Sequence, residues 1–79
     1  MTVFATKTSA EEFLLPIWQR VLRRPSIQIK DNFFDLGGSP ASAAHLFSQI
    51  SELCGRHLPA VLIYSAPTIE ALAEVLEQP

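Results

Sequence analysis

Apolar side chains recur at helical spacing in three stretches of the chain. In the first stretch they run from Phe13 to Leu22, in the second from Ala43 to Leu53, and in the third from Ile69 to Leu76. Residues three or four positions apart share one face of a helix, so each stretch predicts a helix with a single buried stripe. The pattern therefore predicts an all-α fold built on these helices.

Polar residues and prolines beside the stripes predict where the first two helices begin and end. Ser9 followed by Glu12 is a capping-box pattern, which predicts the start of the first helix. Pro25 ends that helix, because proline cannot continue it. Ser39 followed by Pro40 predicts the start of the second helix, since serine caps a helix and proline is tolerated at the first helical position.

Further breakers predict a short extra helix and a long loop. Gly55 ends the second helix, Pro59 opens the short one, and Thr68 caps the last one. Pro16 falls inside the first helix and is expected to kink or delay it. The stretch 25–38 follows neither a helical nor a strand period, so we expect a long loop that apolar side chains pin to the core.

The chain is short and weakly charged. It has 79 residues, of which 48% are hydrophobic and 18% charged, and its formal net charge is −2. This length allows one domain with a small core, and we expect a flexible lead at 1–8 and a folded domain at 9–77. Charged residues fall below the roughly 25% that is typical of soluble domains, so part of the surface must be neutral or apolar.

Composition also excludes several classes of function. No basic run supplies the charge that nucleic-acid binding needs, and no apolar run is long enough to cross a membrane. The start of the chain lacks the pattern of a secretory signal. A single cysteine, Cys54, fits a reducing compartment, so we expect a cytoplasmic protein. Met1 at the start and Pro79 at the end slightly favour a discrete protein.

Side chains of metal-ligand type do not form a recognisable site. His45, Cys54 and His57 are widely spaced and lack a second cysteine pair. Zinc sites normally bring their ligands in close pairs, so no metal site is predicted.

The string DNFFDLGG at 31–38 resembles the core motif of acyl and peptidyl carrier proteins, the thiolation domains of fatty-acid, polyketide and nonribosomal-peptide assembly. Asp35, just before the Leu-Gly-Gly turn, is expected to accept an amide hydrogen bond that keeps the loop in shape. The double glycine and the near-neutral charge are more similar to peptidyl carriers than to the strongly acidic acyl carriers. The resemblance covers roughly 9–77. The other residues that match the family are Trp18, Val21, Leu22, Ala43, Leu46, Ile50, Leu58, Pro59, Tyr64, Ala66, Pro67, Thr68, Ile69, Leu72 and Leu76.

The resemblance implies an antiparallel four-helix bundle, with three main helices, one short helix and a long loop between the first two. It also implies a carrier rather than an enzyme, which holds acyl or aminoacyl intermediates as a thioester on a covalent 4'-phosphopantetheine arm. A phosphopantetheinyl transferase attaches the arm to a serine, and loading and synthase enzymes are the other partners. We expect a monomer with no nucleic-acid or membrane partner.

The attachment position departs from the family pattern. In the family, the double glycine is followed by one variable residue and then by the modified serine. Here the variable position is Ser39 and the modification position is Pro40, which has no hydroxyl. In one interpretation Ser39 carries the arm, displaced by one position, besides capping the helix. In a second, Ser42 carries it, although it points about 200° away from the family position. In a third, the domain is never modified and acts only as a docking module.

Two stretches, 36–51 and 57–69, contain no Lys, Arg, Asp or Glu. In the first stretch Ala41, Ala44 and His45 fall off the buried stripe of the second helix. An uncharged exposed face beside the loop suits docking to another protein. We predict that partners contact these three residues together with Val61, which lies in the second uncharged stretch.

Overall fold

Four helices and a long loop make up the part of the chain that the computed structural model describes, residues 4 and 6–77. The helices are α1 (Lys7–Leu22), α2 (Pro40–Cys54), α3 (Leu62–Ser65) and α4 (Ile69–Glu77), and the described residues contain no strand. The predicted all-α four-helix bundle is confirmed. Of the predicted flexible lead, residues 1–3 and 5 lie outside the described residues.

The core forms where the apolar stripes of the three long helices meet. α1 packs against both α2 and α4, so its stripe lies at the centre of the fold. Fully burying one large aliphatic or aromatic side chain stabilises a fold by about 1.5–3 kcal/mol. In the described part of the chain no polar or charged residue is buried, and the buried indole N–H of Trp18 has no hydrogen-bond partner, so the polar chemistry lies at the surface. The largest fully buried side chains are Trp18, Phe33, Leu14, Leu46, Ile50, Ile63, Ile69, Leu72 and Leu76.

Helix α1 begins at Lys7 rather than at Ser9, and the predicted Ser9–Glu12 capping box is wrong. Thr6 is the N-cap: its backbone is extended, and its hydroxyl accepts the N–H of Ser9 at 3.1 Å. Threonine and serine are both competent caps, so two overlapping start signals competed. The ring of Phe4 packs on that of Phe13 with centroids 4.9 Å apart, which adds an apolar contact close to this start.

Two further positions in the helices differ from expectation. Pro16 lies on the exposed side of α1, and the helix continues through it without delay. Leu53 was predicted to be buried but is 60% exposed. Cys54, four residues after the buried Ile50, packs against the core instead. Both positions are compatible with a 3.6-residue period, and only one of them can face inward at the end of the helix.

The long loop between α1 and α2 is pinned to the bundle, as predicted. The N–H of Phe33 donates to the carbonyl oxygen of Pro67 at 2.7 Å, and the N–H of Glu70 donates to the carbonyl oxygen of Ile29 at 3.0 Å. The buried Phe33 ring meets the Trp18 ring edge-on, with centroids 5.2 Å apart. The middle of the loop is therefore fixed on the start of α4 and on the core.

Candidate functional site

The double glycine turns the chain from the loop into α2. Gly37 has φ +96°, a left-handed conformation that strains any residue with a Cβ. A Cβ on Gly38 would overlap the ring of Phe33 and lie 2.7 Å from the Phe33 carbonyl oxygen. One glycine is required by its backbone conformation and the other by a close approach. Together they deliver Ser39 to the start of α2.

Asp31 and Asn32, and not the expected Asp35, make the side-chain hydrogen bonds that hold the loop. Asp31 accepts the N–H of Gln28 through Oδ2 at 2.9 Å, and Asn32 accepts the N–H of Phe34 through Oδ1 at 2.9 Å. The side chain of Asp35 is exposed and makes no hydrogen bond within the described part of the chain. The prediction for Asp35 is therefore wrong, because the Asp and Asn at the start of the motif make the local turns that such side chains favour.

The end of α1 contacts the loop just before the glycines. Arg24 donates from Nε to the carbonyl oxygen of Leu36 at 2.9 Å. The preceding Arg23 caps α1 in a left-handed conformation, with φ 55°. The turn is thus bonded to the segment that directly follows α1, and it continues into α2.

Ser39 is the N-cap of α2 and Pro40 is its first helical residue, as predicted. The Ser39 hydroxyl accepts the N–H of Ser42 at 3.2 Å, and in return the Ser42 hydroxyl accepts the N–H of Ser39 at 2.7 Å. This is a reciprocal capping box in which serine takes the place of the usual Glu or Gln. This capping role of Ser42 was not predicted from the sequence. The motif that reveals it is a serine three residues after the cap.

The first turn of α2 brings a hydroxyl and a free amide to the surface. Pro40 has neither a hydroxyl nor a backbone N–H. The N–H of Ser42 donates to the Ser39 hydroxyl, and the N–H of Ala43 donates to the Ser39 carbonyl oxygen. The N–H of Ala41, at the second helical position, has no partner within the helix. The N-terminal turn contains no acidic residue, so the positive end of the helix dipole is not neutralised there. The Ala41 N–H and the positive end of the helix dipole suit a negatively charged phosphodiester at this turn.

The predicted partner residues are all exposed. Ala41, Ala44 and His45 lie on the solvent side of α2, and Val61 is 64% exposed just before α3. Tyr64 was not among the predicted partner residues, yet it is 62% exposed. It stacks on the loop residue Phe34 with ring centroids 5.5 Å apart, which joins α3 to the loop. An aromatic residue within the uncharged stretch 57–69 was the sequence feature that could have added Tyr64 to the predicted partner residues.

A chain of hydrogen bonds orients His45. Arg20 donates from Nη2 to the side-chain oxygen of Gln49 at 3.1 Å. Since arginine can only donate, the amide nitrogen of Gln49 faces His45, whose Nε2 lies 2.9 Å away. His45 therefore accepts this hydrogen bond at Nε2, and its ring is fixed on the surface of α2.

Residues 6–77, with Phe4, contain no group of three His, Cys, Asp or Glu side chains that could hold a metal ion. Cys54 is a free thiol whose Sγ lies 3.8 Å from the carbonyl oxygen of Arg56. Over the same residues, no helix combines the length and the apolar character needed to span a bilayer.

The family described as "Phosphopantetheine attachment site" matches residues 12–76. The chain belongs to this carrier-protein family. This carrier domain is 42% identical over 71 residues to a dimodular nonribosomal peptide synthase of Bacillus subtilis (strain 168). The match covers 90% of the chain and 3% of that protein. It is 32% identical to indigoidine synthase of Dickeya dadantii (strain 3937), over 98% of the chain and 5% of that protein. The carrier domain thus spans a small part of these relatives.

Solved structures of carrier proteins have the same fold. A peptidyl carrier protein in complex with the phosphopantetheine transferase Sfp and coenzyme A is 37% identical, with a TM-score of 0.80 over 85% of this chain and 87% of that one. A free-standing peptidyl carrier protein from Acinetobacter baumannii superposes with a TM-score of 0.83 over 92% and 94% of the two chains, at 23% identity, and shows the fold alone. The chain is a carrier domain of the nonribosomal-peptide-synthetase type rather than an enzyme, as the resemblance implied.

Proposed function

We propose that this carrier domain holds acyl or aminoacyl intermediates through a 4'-phosphopantetheine arm attached to Ser39. The observation that carries the proposal is the position of the Ser39 hydroxyl, which is exposed at the start of α2 and adjoins the family's attachment position. Ser42 is half-buried and folded back on Ser39, so its hydroxyl is the less accessible of the two.

The residues of this chain would place and stabilise the phosphodiester. The double-glycine turn fixes Ser39 at the helix terminus, and the Ala41 N–H and the helix dipole favour the negative charge of a phosphodiester. When bound, the arm supplies the terminal thiol that forms the thioester with the cargo. The chain itself contributes no catalytic group to loading or transfer.

The partners proposed for this domain are a phosphopantetheinyl transferase and the enzymes that load and use the cargo. They would dock on Ala41, Ala44 and His45 of α2 and on Val61, an uncharged surface that carries no desolvation cost for a buried charge. We further propose that the domain is a monomer. A cytoplasmic location is consistent with the single cysteine.

Intact-mass spectrometry after incubation with coenzyme A and a broad-specificity phosphopantetheinyl transferase tests the proposal. We expect a mass gain of one arm in the wild type and none in Ser39→Ala. A gain that persists in Ser39→Ala and disappears in Ser42→Ala would move the site to Ser42. No gain with several transferases would contradict attachment and leave a docking domain without cargo.

A further inference from the structure

We propose that Ser42 restrains the Ser39 hydroxyl and thereby sets the rate at which Ser39 is modified. This inference rests on the proposed attachment at Ser39. It assigns to Ser42 a positioning role that follows from the hydrogen bonds of the capping box.

The Ser39 hydroxyl forms hydrogen bonds to Ser42 both as a donor and as an acceptor. The Ser42 hydroxyl donates its only proton to the Ser39 carbonyl oxygen at 3.0 Å. The two hydroxyl oxygens are 3.2 Å apart and either can donate to the other. While the Ser42 proton is directed at the carbonyl oxygen, the proton between the two hydroxyls comes from Ser39. The Ser39 oxygen also accepts the N–H of Ser42 at 3.2 Å. In this arrangement both its proton and one of its lone pairs are directed at Ser42.

Modification has to break this arrangement. The Ser39 Oγ forms a bond to the β-phosphorus of coenzyme A, the phosphoanhydride bond breaks, and adenosine 3',5'-bisphosphate leaves. The hydroxyl proton of Ser39 passes to a base of the transferase. As long as that proton is donated to Ser42, the base competes with an existing hydrogen bond.

Pro40 keeps the restraint in place. Its ring fixes φ near −65°, the value of the first helical residue, and so holds Ser39 and Ser42 at capping-box separation. A hydroxyl on residue 40 would belong to the first helical residue and would take no part in the capping box. The restraint is therefore a consequence of the displaced serine in this chain.

The experiment compares the initial rates of mass gain with coenzyme A and a broad-specificity transferase. Ser42→Ala removes the hydroxyl that receives the Ser39 proton and that accepts the Ser39 N–H, while the N–H at position 42 can still donate to the Ser39 hydroxyl. We expect it to react roughly five times faster than the wild type, the factor that corresponds to about 1 kcal/mol. Ser42→Thr keeps the hydroxyl and should react at the wild-type rate. Ser48→Ala is the matched control, because Ser48 is exposed on α2 outside the box.

Two outcomes would overturn the inference, and they differ in what they say of the proposed function. If the wild type gains the arm and Ser42→Ala reacts no faster, the restraint is wrong and attachment at Ser39 stands. If neither gains the arm while Pro40→Ser does, attachment at Ser39 is wrong and the restraint falls with it. A gain confined to Ser42→Ala, at Ser39, would support the restraint most strongly.

Discussion

Pro40 decides which hydroxyl the start of α2 can offer. It occupies the position where the family carries the modified serine, and it leaves Ser39 as the exposed hydroxyl of the turn. Ser39 must then serve both as helix cap and as attachment residue. A serine at the first helical position would be free of the capping box.

The first prediction concerns this position. We expect Pro40→Ser to be modified at residue 40 roughly five times faster than the wild type is at Ser39, which corresponds to about 1 kcal/mol. The physical reason is that the new hydroxyl donates no proton to the box. Rates of mass gain with coenzyme A and a transferase measure the effect.

Pro40→Ala is the control for that substitution, because it removes the proline ring without adding a hydroxyl. If Pro40→Ser reacts no faster than Pro40→Ala, the missing hydroxyl at position 40 is not what limits modification.

The second prediction separates the two glycines of the turn. Gly38→Ala places a Cβ on the ring and carbonyl of Phe33 and should lower the free energy of unfolding by about 2–3 kcal/mol, the cost of overpacking a fixed site. Gly37→Ala meets open space but keeps a left-handed backbone, so its cost should be about 1 kcal/mol. Urea denaturation measures both costs. Equal costs would mean that the Phe33 ring moves aside.

At this scale the sequence predicts the cap but not the network around it. Serine followed by proline has a strong local preference, so Ser39 and Pro40 were assigned correctly. The loop contains several side chains able to accept an amide hydrogen bond, and only the folded turn decides that Asp31 and Asn32 do so instead of Asp35.

Among the elements, α1 shows how two adjacent start signals compete. Thr6 and Ser9 can both cap a helix, and the structure uses Thr6. We expect Thr6→Ala to lower the free energy of unfolding by about 1 kcal/mol, because the N–H of Ser9 then loses its partner. Ser9→Ala keeps the backbone N–H that donates to Thr6, so it should lower the free energy of unfolding by only a few tenths of the loss in Thr6→Ala.

Thermal or urea unfolding of the two variants measures these costs. A larger loss of unfolding free energy in Ser9→Ala than in Thr6→Ala would mean that Ser9 is the cap, as the sequence predicts.

The helices themselves follow from the apolar stripes, since a 3.6-residue period identifies the buried face directly. Ends are less predictable, and Leu53 is the example, because its neighbour Cys54 satisfies the same period. The contact between Phe34 and Tyr64 was also beyond reach of the sequence. It joins residues thirty positions apart, and no local pattern encodes such a pair.

Across the whole molecule, Lys7 links α1 to α4. Its Nζ lies 3.7 Å from an oxygen of Glu70 and 3.3 Å from one of Glu74. Desolvation lowers the pKa of Lys7, but the hydrogen bond to Glu74 and the charges of Glu70, Glu74 and Glu11 outweigh it and raise the pKa above its ordinary value of 10.5. Because the folded state holds this proton more tightly than the unfolded state, the ion pairs stabilise the fold at neutral pH.

The corresponding prediction is a loss of stability at high pH. The contribution of Lys7 is fully present below its unfolded pKa and is lost as the pH rises through the higher folded pKa. We expect the unfolding free energy of the wild type to fall more steeply with pH above 10.5 than that of Lys7→Gln. Lys30→Gln is the control, since Lys30 is exposed and forms no ion pair within residues 6–77. Parallel pH profiles of the wild type and Lys7→Gln would show that the pairs contribute nothing.

The uncharged stretches give the molecule its exposed neutral surface beside Ser39. The sequence predicted this surface and the family, because the string at 31–38 and the helix registers are specific to carrier proteins. It could not determine the attachment residue, since a proline stands here at the family's attachment position and the alternative depends on the geometry of one turn. Ser39 as the attachment residue is therefore the central claim.

Peptide mass mapping after reaction with coenzyme A and a broad-specificity transferase tests that claim most directly. Fragmentation of the peptide that contains the start of α2 distinguishes Ser39 from Ser42, and Ser39→Ala controls for adventitious labelling. We expect the arm on Ser39 in the wild type and an unmodified peptide in Ser39→Ala. An unmodified wild-type peptide, under conditions in which Pro40→Ser is fully modified, would contradict the claim.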